Sequence, residues 1–368
     1  MARILVVTVA HPPEDARIRH REIAALVEFG HVVTYAAPFR AFSASRPAGL
    51  RCVDLPRSAG GLFRRVPAMV AAARLMVRER GSQDLVLIHD PELLPALALL
   101  RVLPHHPVTV WDVHEDVPAQ VAMLALPAVV KVVGSRVLAV VERLAERSFH
   151  LLLAETAYQQ RFRRPHPVVP NSVRVPPGGP WPAEDPPRVV YLGALTRARG
   201  SDELIALAER LPEVEVEVLG NAKADVEEDL RAAAARLPNL SYRGFVPNNE
   251  ALGRLAGALA GLSLLHDEAN YAHSEPTKIM EYMAHGVPSI TTPNAASREL
   301  VERTGGGAVV GFGDVAGAVG AIRAWDRDRG ARDAAAARAY TSASDRDWAI
   351  DGARFARVLQ EWVEAARG

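Results

Sequence analysis

The chain has 368 residues, more than one compact core holds, and 49% of them are hydrophobic, so two domains of ordinary size are expected. Lys plus Arg and Asp plus Glu number 43 each, which argues against a salt-driven hold on nucleic acid and leaves room for a local basic pocket. The single cysteine, Cys52, excludes an internal disulfide framework and fits a reducing, cytoplasmic compartment.

The first segment, "MARILVVTVAHPP", reads as a buried strand rather than a signal peptide, because no clear cleavage site precedes the polar "HPPEDARIRHRE". The amphipathic "DARIRHREIAALVEFG" follows and stops at Gly30. "HVVTYAAP", "DLVLIHD" and "VTVWDVHED" then alternate with helical stretches, the pattern of a doubly wound parallel sheet. Between the first two of these lies the basic, amphipathic "GGLFRRVPAMVAAARLMVRER". A packed surface helix is its commoner reading, and a membrane-facing helix the alternative. Met123–Val141 is apolar but carries Lys131 and Arg136. Those charges exclude a spanning helix and leave a peripheral contact at the inner membrane surface open.

Alternation breaks at the Pro-rich "VPPGGPWPAEDPP", Val175–Pro187, which reads as an interdomain linker. It restarts with "RVVYLGAL" and "SDELIALAERL", and continues through "VEVEVLG", "LSYRGFV", "GLSLLH" and "VPSITT". Two Rossmann-like domains are therefore expected, at 1–174 and 188–345. An amphipathic helix at about 346–368 would close the second and cross back to the first.

Ligands of doubly wound sheets bind beyond the C-terminal ends of the strands. After "VVYLG", Gly193 would let a ligand approach the backbone closely, and Arg197 and Arg199 stand beside a helix N-terminus. Such a pair suits a diphosphate; a solvated loop with two surface arginines is the equal alternative. Further on, "HSEPTKIMEYMAHGVP" offers Ser274 as an N-cap, Pro276 for the first turn and Gly286 as a stop. Lys278 and Glu281, three apart, share a helical face. They suit a phosphate and the two hydroxyls of a ribose. A surface ion pair worth ~0.2–0.5 kcal/mol fits the spacing as well.

"YLGALTRARG" and "NYAHSEPTKIMEYMAHGVPSI" resemble the retaining GT-B glycosyltransferases of family 4, in the subgroup with an S-x-P-x-K-x-x-E-Y-M-A-x-G-x-P signature. "HPPEDARIRHREIAALVEFGHVVTYAAP", "VWDVHED" and "VVPNSV" resemble the first-domain segments of that family. The resemblance implies two Rossmann-like domains facing across a cleft. It implies sugar transfer from a UDP- or GDP-sugar to a hydroxyl on a glycan, a lipid-linked or a small-molecule acceptor. Arg199 takes the place of the diphosphate-binding Lys of the family's "KG" pair, with Arg197 nearby. Glu281 matches the ribose-binding second Glu of E-x7-E, and His114 a histidine facing the reacting centre. Gly193, Asn270, His273, Ser274, Thr277 and Lys278 complete the expected donor site. His11, Asp15, Arg17, Asp90 and Glu115 are expected on the acceptor side. One departure stands out: His273 occupies the position of the first Glu of E-x7-E.

No metal is expected. None of the twelve histidines has ligand spacing, and the "DVHED" side chains alternate faces along a strand. Asp90 could equally cap the helix "PELLPALALL". The pair His105 and His106 and the triplet Gly305–Gly307 read as loop and turn. Two alternatives stay open: a nucleotide-sugar epimerase of the same architecture, and a catalytically silent nucleotide-sugar-binding protein. A dinucleotide oxidoreductase is disfavoured, since neither first strand leads into G-x-G-x-x-G.

Overall fold

The computed structural model of the chain describes residues 1–114, 128–268, 271 and 276–368. They divide into two compact units, Met1–Asn171 with Trp348–Gly368, and Ser172–Asp347.

In the first unit, β1 (Arg3–Val7) leads through a π-helical segment, Ala16–Ile23, into α1 (Ala24–Glu28). Then come β2 (Val32–Ala37), β3 (Arg51–Asp54), α2 (Leu62–Glu79), β4 (Leu85–Ile88), α3 (Leu94–Arg101), β5 (Val108–Val113), α4 (Ala128–Ser148) and β6 (His150–Leu153). All six strands are parallel, in the order β3-β2-β1-β4-β5-β6. β4 is buried at every residue, as a strand covered by helices on both faces must be.

The second unit repeats the plan: β7 (Arg188–Leu192), α5 (Ser201–Arg210), β8 (Glu215–Leu219), α6 (Ala224–Arg236), β9 (Leu240–Tyr242), α7 (Asn248–Gly253), β10 (Ala260–Ser263), α8 (Thr277–Ala284), β11 (Ser289–Thr291), α9 (Ala295–Thr304), β12 (Gly307–Val309), α10 (Val315–Arg327) and α11 (Arg329–Ser344). Its sheet is also parallel, in the order β12-β11-β10-β7-β8-β9. The chain then returns to the first unit as α12 (Trp348–Arg367), which buries Trp348, Phe355, Leu359 and Val363 against Ile23, Leu26 and Val110.

Each sheet has its switch point between its first and fourth strands, β1/β4 and β7/β10, where a doubly wound sheet opens a crevice. Three strands unmarked in the sequence, β3, β6 and β12, lie at sheet edges. Gly307 belongs to β12 rather than to a turn; a Cβ there would stand 2.3 Å from the Ser289 carbonyl oxygen.

The Pro-rich segment is packed on the second unit and is no free tether. Tyr340 Oη donates to the Pro176 carbonyl at 2.7 Å and Arg332 Nη1 to that of Trp181 at 2.8 Å. Glu184 N donates to the Gly257 carbonyl at 2.8 Å. The basic helix α2 buries Ala68, Ala72, Leu75 and Met76, the behaviour of a packed surface helix. Among the described residues no helix is long and apolar enough to cross a membrane.

Candidate functional site

In the second unit the crevice is built by Tyr282. From α8 its hydroxyl accepts from Leu192 N at 2.9 Å and donates to the Leu262 carbonyl at 3.1 Å, tying the end of β7 to β10. Gly261 makes room for it, since a Cβ there would lie 2.3 Å from the ring. The sequence held a signal for this residue: a Tyr on the buried side of a helix needs a partner for its hydroxyl.

Tyr282 anchors α8 so that Lys278, one turn earlier, stands over the end of β7. The lysine is half-buried as a residue, yet its ammonium is enclosed. Nζ lies 3.6 Å from the centre of the Tyr191 ring and has no hydrogen-bond partner among the described residues. Burial, and then the charge of Arg199, hold its pKa well below the ordinary lysine value, with Glu281 opposing. An ammonium enclosed over an aromatic face, with no acceptor among the described residues, favours an anion beside it. Gly193 faces the same space: its φ is +113°, and a Cβ there would stand 3.8 Å from Lys278 Cε. Glu281 and Thr277 are half-buried on the same helix.

The loop after β7 supplies Arg199, whose Nη1 donates to the Ala194 carbonyl at 3.0 Å and whose guanidinium lies 5.8 Å from the centre of the Tyr271 ring. Gly200 follows with φ +92°, and a Cβ on it would meet the Leu264 carbonyl oxygen at 2.7 Å. The Arg199–Gly200 pair therefore exists because this loop packs on the one after β10. Gly200 itself stands at the N-cap of α5, with no side-chain cap. Arg197 points elsewhere: it pairs with Asp229 at 2.6 Å, Asp202 at 2.9 Å and Asp225 at 3.7 Å. Its charge is spent on surface carboxylates, which corrects the expectation that it shares the anion with Arg199. A cavity of about 380 Å³ opens beside it, between Thr196, Lys223, Glu268 and Tyr271. At the start of α8 the cap is Pro276. Asn270, His273 and Ser274, expected at the donor, and Glu115, expected at the acceptor, lie outside the described residues.

At the switch point of the first unit, residues from distant segments converge. Asp90, after β4, accepts from Val9 N at 2.6 Å and from Thr8 Oγ1 at 3.2 Å, and lies 3.3 Å from His11 Nε2. Its side chain caps no helix. Asp15 accepts from the backbone of Arg17 and Ile18 at 2.9 and 3.0 Å, so it caps the π-helical segment. Arg17 is only 4% exposed. It grips Asp112 at 2.8 and 2.7 Å, reaches Glu22 at 3.0 Å and donates to the Val169 carbonyl at 3.0 Å. Arg17, expected to touch an acceptor, is thus an internal support, while Asp15 is half-buried at the start of the segment it caps.

Glu22, His89 and Asp112 also converge in a way their spacing never announced, with His89 Nε2 2.7 Å from Glu22 Oε2. Arg17 already sits against both carboxylates, so the cluster's countercharge is a guanidinium and a metal ion would have to displace it. Burial, and then the charge of Asp112, push the Glu22 carboxyl well above its usual range. Burial pushes His89 down to about 4.

His114 is the group left over. Its Nδ1 lies 3.4 Å from Asp112 Oδ2, and its buried Nε2 has no hydrogen-bond partner among the described residues. His11 stacks obliquely on it at 4.8 Å. Burial opposes charge on this ring, but the hydrogen bond and negative charge of Asp112 outweigh burial and raise it to about 9. His114 should therefore titrate near 9 in NMR spectra of the ring carbons. In Asp112→Asn, burial and the charge of Arg17 outweigh what Glu22 still contributes, and the midpoint should fall below the ordinary value of about 6.5. A wild-type midpoint below about 6.5 would refute this account of the network.

Residues 180–342 match the family model described as glycosyl transferases group 1. No curated protein matches the chain in sequence. Among solved structures, it resembles Anabaena HepE in complex with UDP and glucose at 16% identity and a TM-score of 0.67, over 98% of this chain and 100% of that one. Sucrose-phosphate synthase from Thermosynechococcus elongatus is 14% identical, with a TM-score of 0.70 over 99% and 100% of the two chains. WaaG, a glycosyltransferase involved in lipopolysaccharide biosynthesis, is 16% identical, with a TM-score of 0.67 over 97% and 99%. At such identities the likeness establishes the fold, the two-domain α/β architecture expected from the sequence.

Proposed function

We propose that this glycosyltransferase, with its group 1 domain in the second unit, moves a sugar from a nucleoside diphosphate sugar to a hydroxyl acceptor, retaining configuration and using no metal ion. The family match over residues 180–342 carries the reaction class. The observation that carries the donor is the enclosed ammonium of Lys278, which has no hydrogen-bond acceptor among the described residues.

Lys278 and Arg199 would meet the diphosphate and take up the charge that grows on it as the bond from the sugar C1 to oxygen breaks. The acceptor oxygen would bond to C1 on the face the diphosphate leaves, and its proton would pass to a departing phosphate oxygen. No nucleophile from the protein is then required. Glu281 would accept hydrogen bonds from the ribose hydroxyls. Gly193 and Thr277 would line the same space, with Asn270, His273 and Ser274 completing it as the motif implies. In the first unit, His114 would donate through Nε2 to an acceptor hydroxyl, with His11 beside it and Asp90 and Arg17 fixing the floor beneath. The HepE complex with UDP supports UDP as the leaving nucleotide, with GDP the other choice.

Titration calorimetry with UDP and GDP, in the presence of a chelator, should show binding. Nucleoside diphosphate should be released from a sugar donor when an acceptor is supplied. Failure of both nucleotides to bind at about millimolar concentration would remove the donor assignment. Turnover of a nucleotide sugar without nucleotide release would mean an epimerase instead.

A further inference from the structure

Helix α4 has an outer face that the sugar-transfer reading does not use. Val132, Val133, Val137, Val140 and Leu144 are each 50–56% exposed, and Val141 is 36% exposed. Val133, Val137, Val140 and Leu144 follow one another at i, i+4, i+7 and i+11, so they form a continuous ridge. At 3.6 residues per turn, the exposed Arg136, Arg143 and Arg147 fall together along the flank of that ridge. The only two carboxylates of the helix, Glu142 and Glu146, are buried on its opposite side. Glu142 pairs with Arg161, and Glu146 accepts from the backbone of Arg163 and Arg164 at 2.7 and 2.8 Å. The outer arc is therefore apolar and cationic, with no anion of its own.

We propose that this face of α4 docks the protein on an anionic lipid surface. The helix would lie in the interface, its valine ridge among the acyl chains and its arginines on the headgroup phosphates. Charge decides the occupant. A symmetric pairing of two copies through the ridge would bring arginine rows together with no carboxylate to answer them. An anionic bilayer supplies both the apolar phase and the countercharge. The sequence also offered α2 as a membrane-facing alternative, but α2 exposes only Val66 and Val70 among its described large apolar side chains and buries Ala68, Ala72, Leu75 and Met76 in the core. This inference does not depend on the reaction assigned above.

The test is flotation of the full chain with vesicles of phosphatidylcholine alone and with about one-third phosphatidylglycerol. Binding to the anionic vesicles should exceed binding to the neutral ones by at least about tenfold, and should weaken as salt rises from about 0.05 to 0.5 M. The double variant Val137→Glu/Leu144→Glu should lose at least about tenfold of that binding while UDP affinity and unfolding midpoint stay unchanged. Arg136→Gln/Arg143→Gln should erase the preference for anionic vesicles. No flotation, or equal flotation of the valine–leucine variant, overturns the proposal. So does a loss of unfolding midpoint in that variant, which would mean that the chain itself covers the ridge. A dimer in the wild type that the same variant dissociates would give the face to a second copy.

Discussion

Lys278→Met is expected to raise the unfolding midpoint of the ligand-free protein and to abolish the further rise that UDP produces. The native state carries an ammonium that burial disfavours and that no hydrogen-bond acceptor among the described residues meets. An apolar side chain of similar length recovers the desolvation cost, typically ~1–4 kcal/mol for buried charges. The lost contact with the Tyr191 ring takes back about 1–2 kcal/mol, so a net gain of about 1 kcal/mol is expected. Affinity for UDP should fall by about a hundredfold, as when one partner of a desolvated charge pair is removed. The sign of the pH dependence follows from the depressed native pKa. The native state holds this proton less tightly than the unfolded chain, so the cost is fully present at low pH. It fades as pH rises from the native pKa toward the unfolded value of about 10.4. The advantage of the variant should shrink over the same range. Two results would sink the assignment: a ligand-free variant less stable than wild type, or one that binds UDP undiminished.

Arg332→Leu is expected to cost the second unit about 3–5 kcal/mol. The guanidinium is fully buried in α11. Nε donates to the Leu259 carbonyl at 3.3 Å, Nη1 to that of Trp181 at 2.8 Å, and Nη2 to those of Ala258 and Gly286. One side chain thus joins the Pro-rich segment, the approach to β10 and the end of α8. Leucine fills much of the volume but leaves those carbonyls without donors, and unsatisfied buried groups cost about 1–3 kcal/mol each. Urea unfolding should show a lower midpoint with an unchanged slope. A loss under about 1 kcal/mol would mean that water or the backbone replaces the guanidinium.

Much of the fold was legible because its signals are local. Continuous apolar runs such as "LVLI" become strands covered on both faces, and "TKIMEYMAHG" becomes a helix stopped by Gly286, with Ile279 and Met283 inside. The missed strands β3, β6 and β12 are short strands at sheet edges. Arg332 lies in the Ala-rich stretch "ARDAAAARAY", and nothing local says that its arginine faces inward.

Sequence by itself determined two doubly wound sheets, and Lys278 and Glu281 on one helical face, because strand and helix periods and turn residues act over a few positions. Tertiary structure decided what each charge does. It set Arg197 on three acids and left the Lys278 ammonium with no hydrogen-bond acceptor among the described residues. It clamped Asp112 with Arg17 across a separation of 95 residues and set the same carboxylate beside His114, whose pKa Asp112 raises against the opposing charge of Arg17. It also turned both carboxylates of α4 inward. Electrostatic roles depend on which groups share a low-dielectric neighbourhood, and only the folded chain brings those groups together.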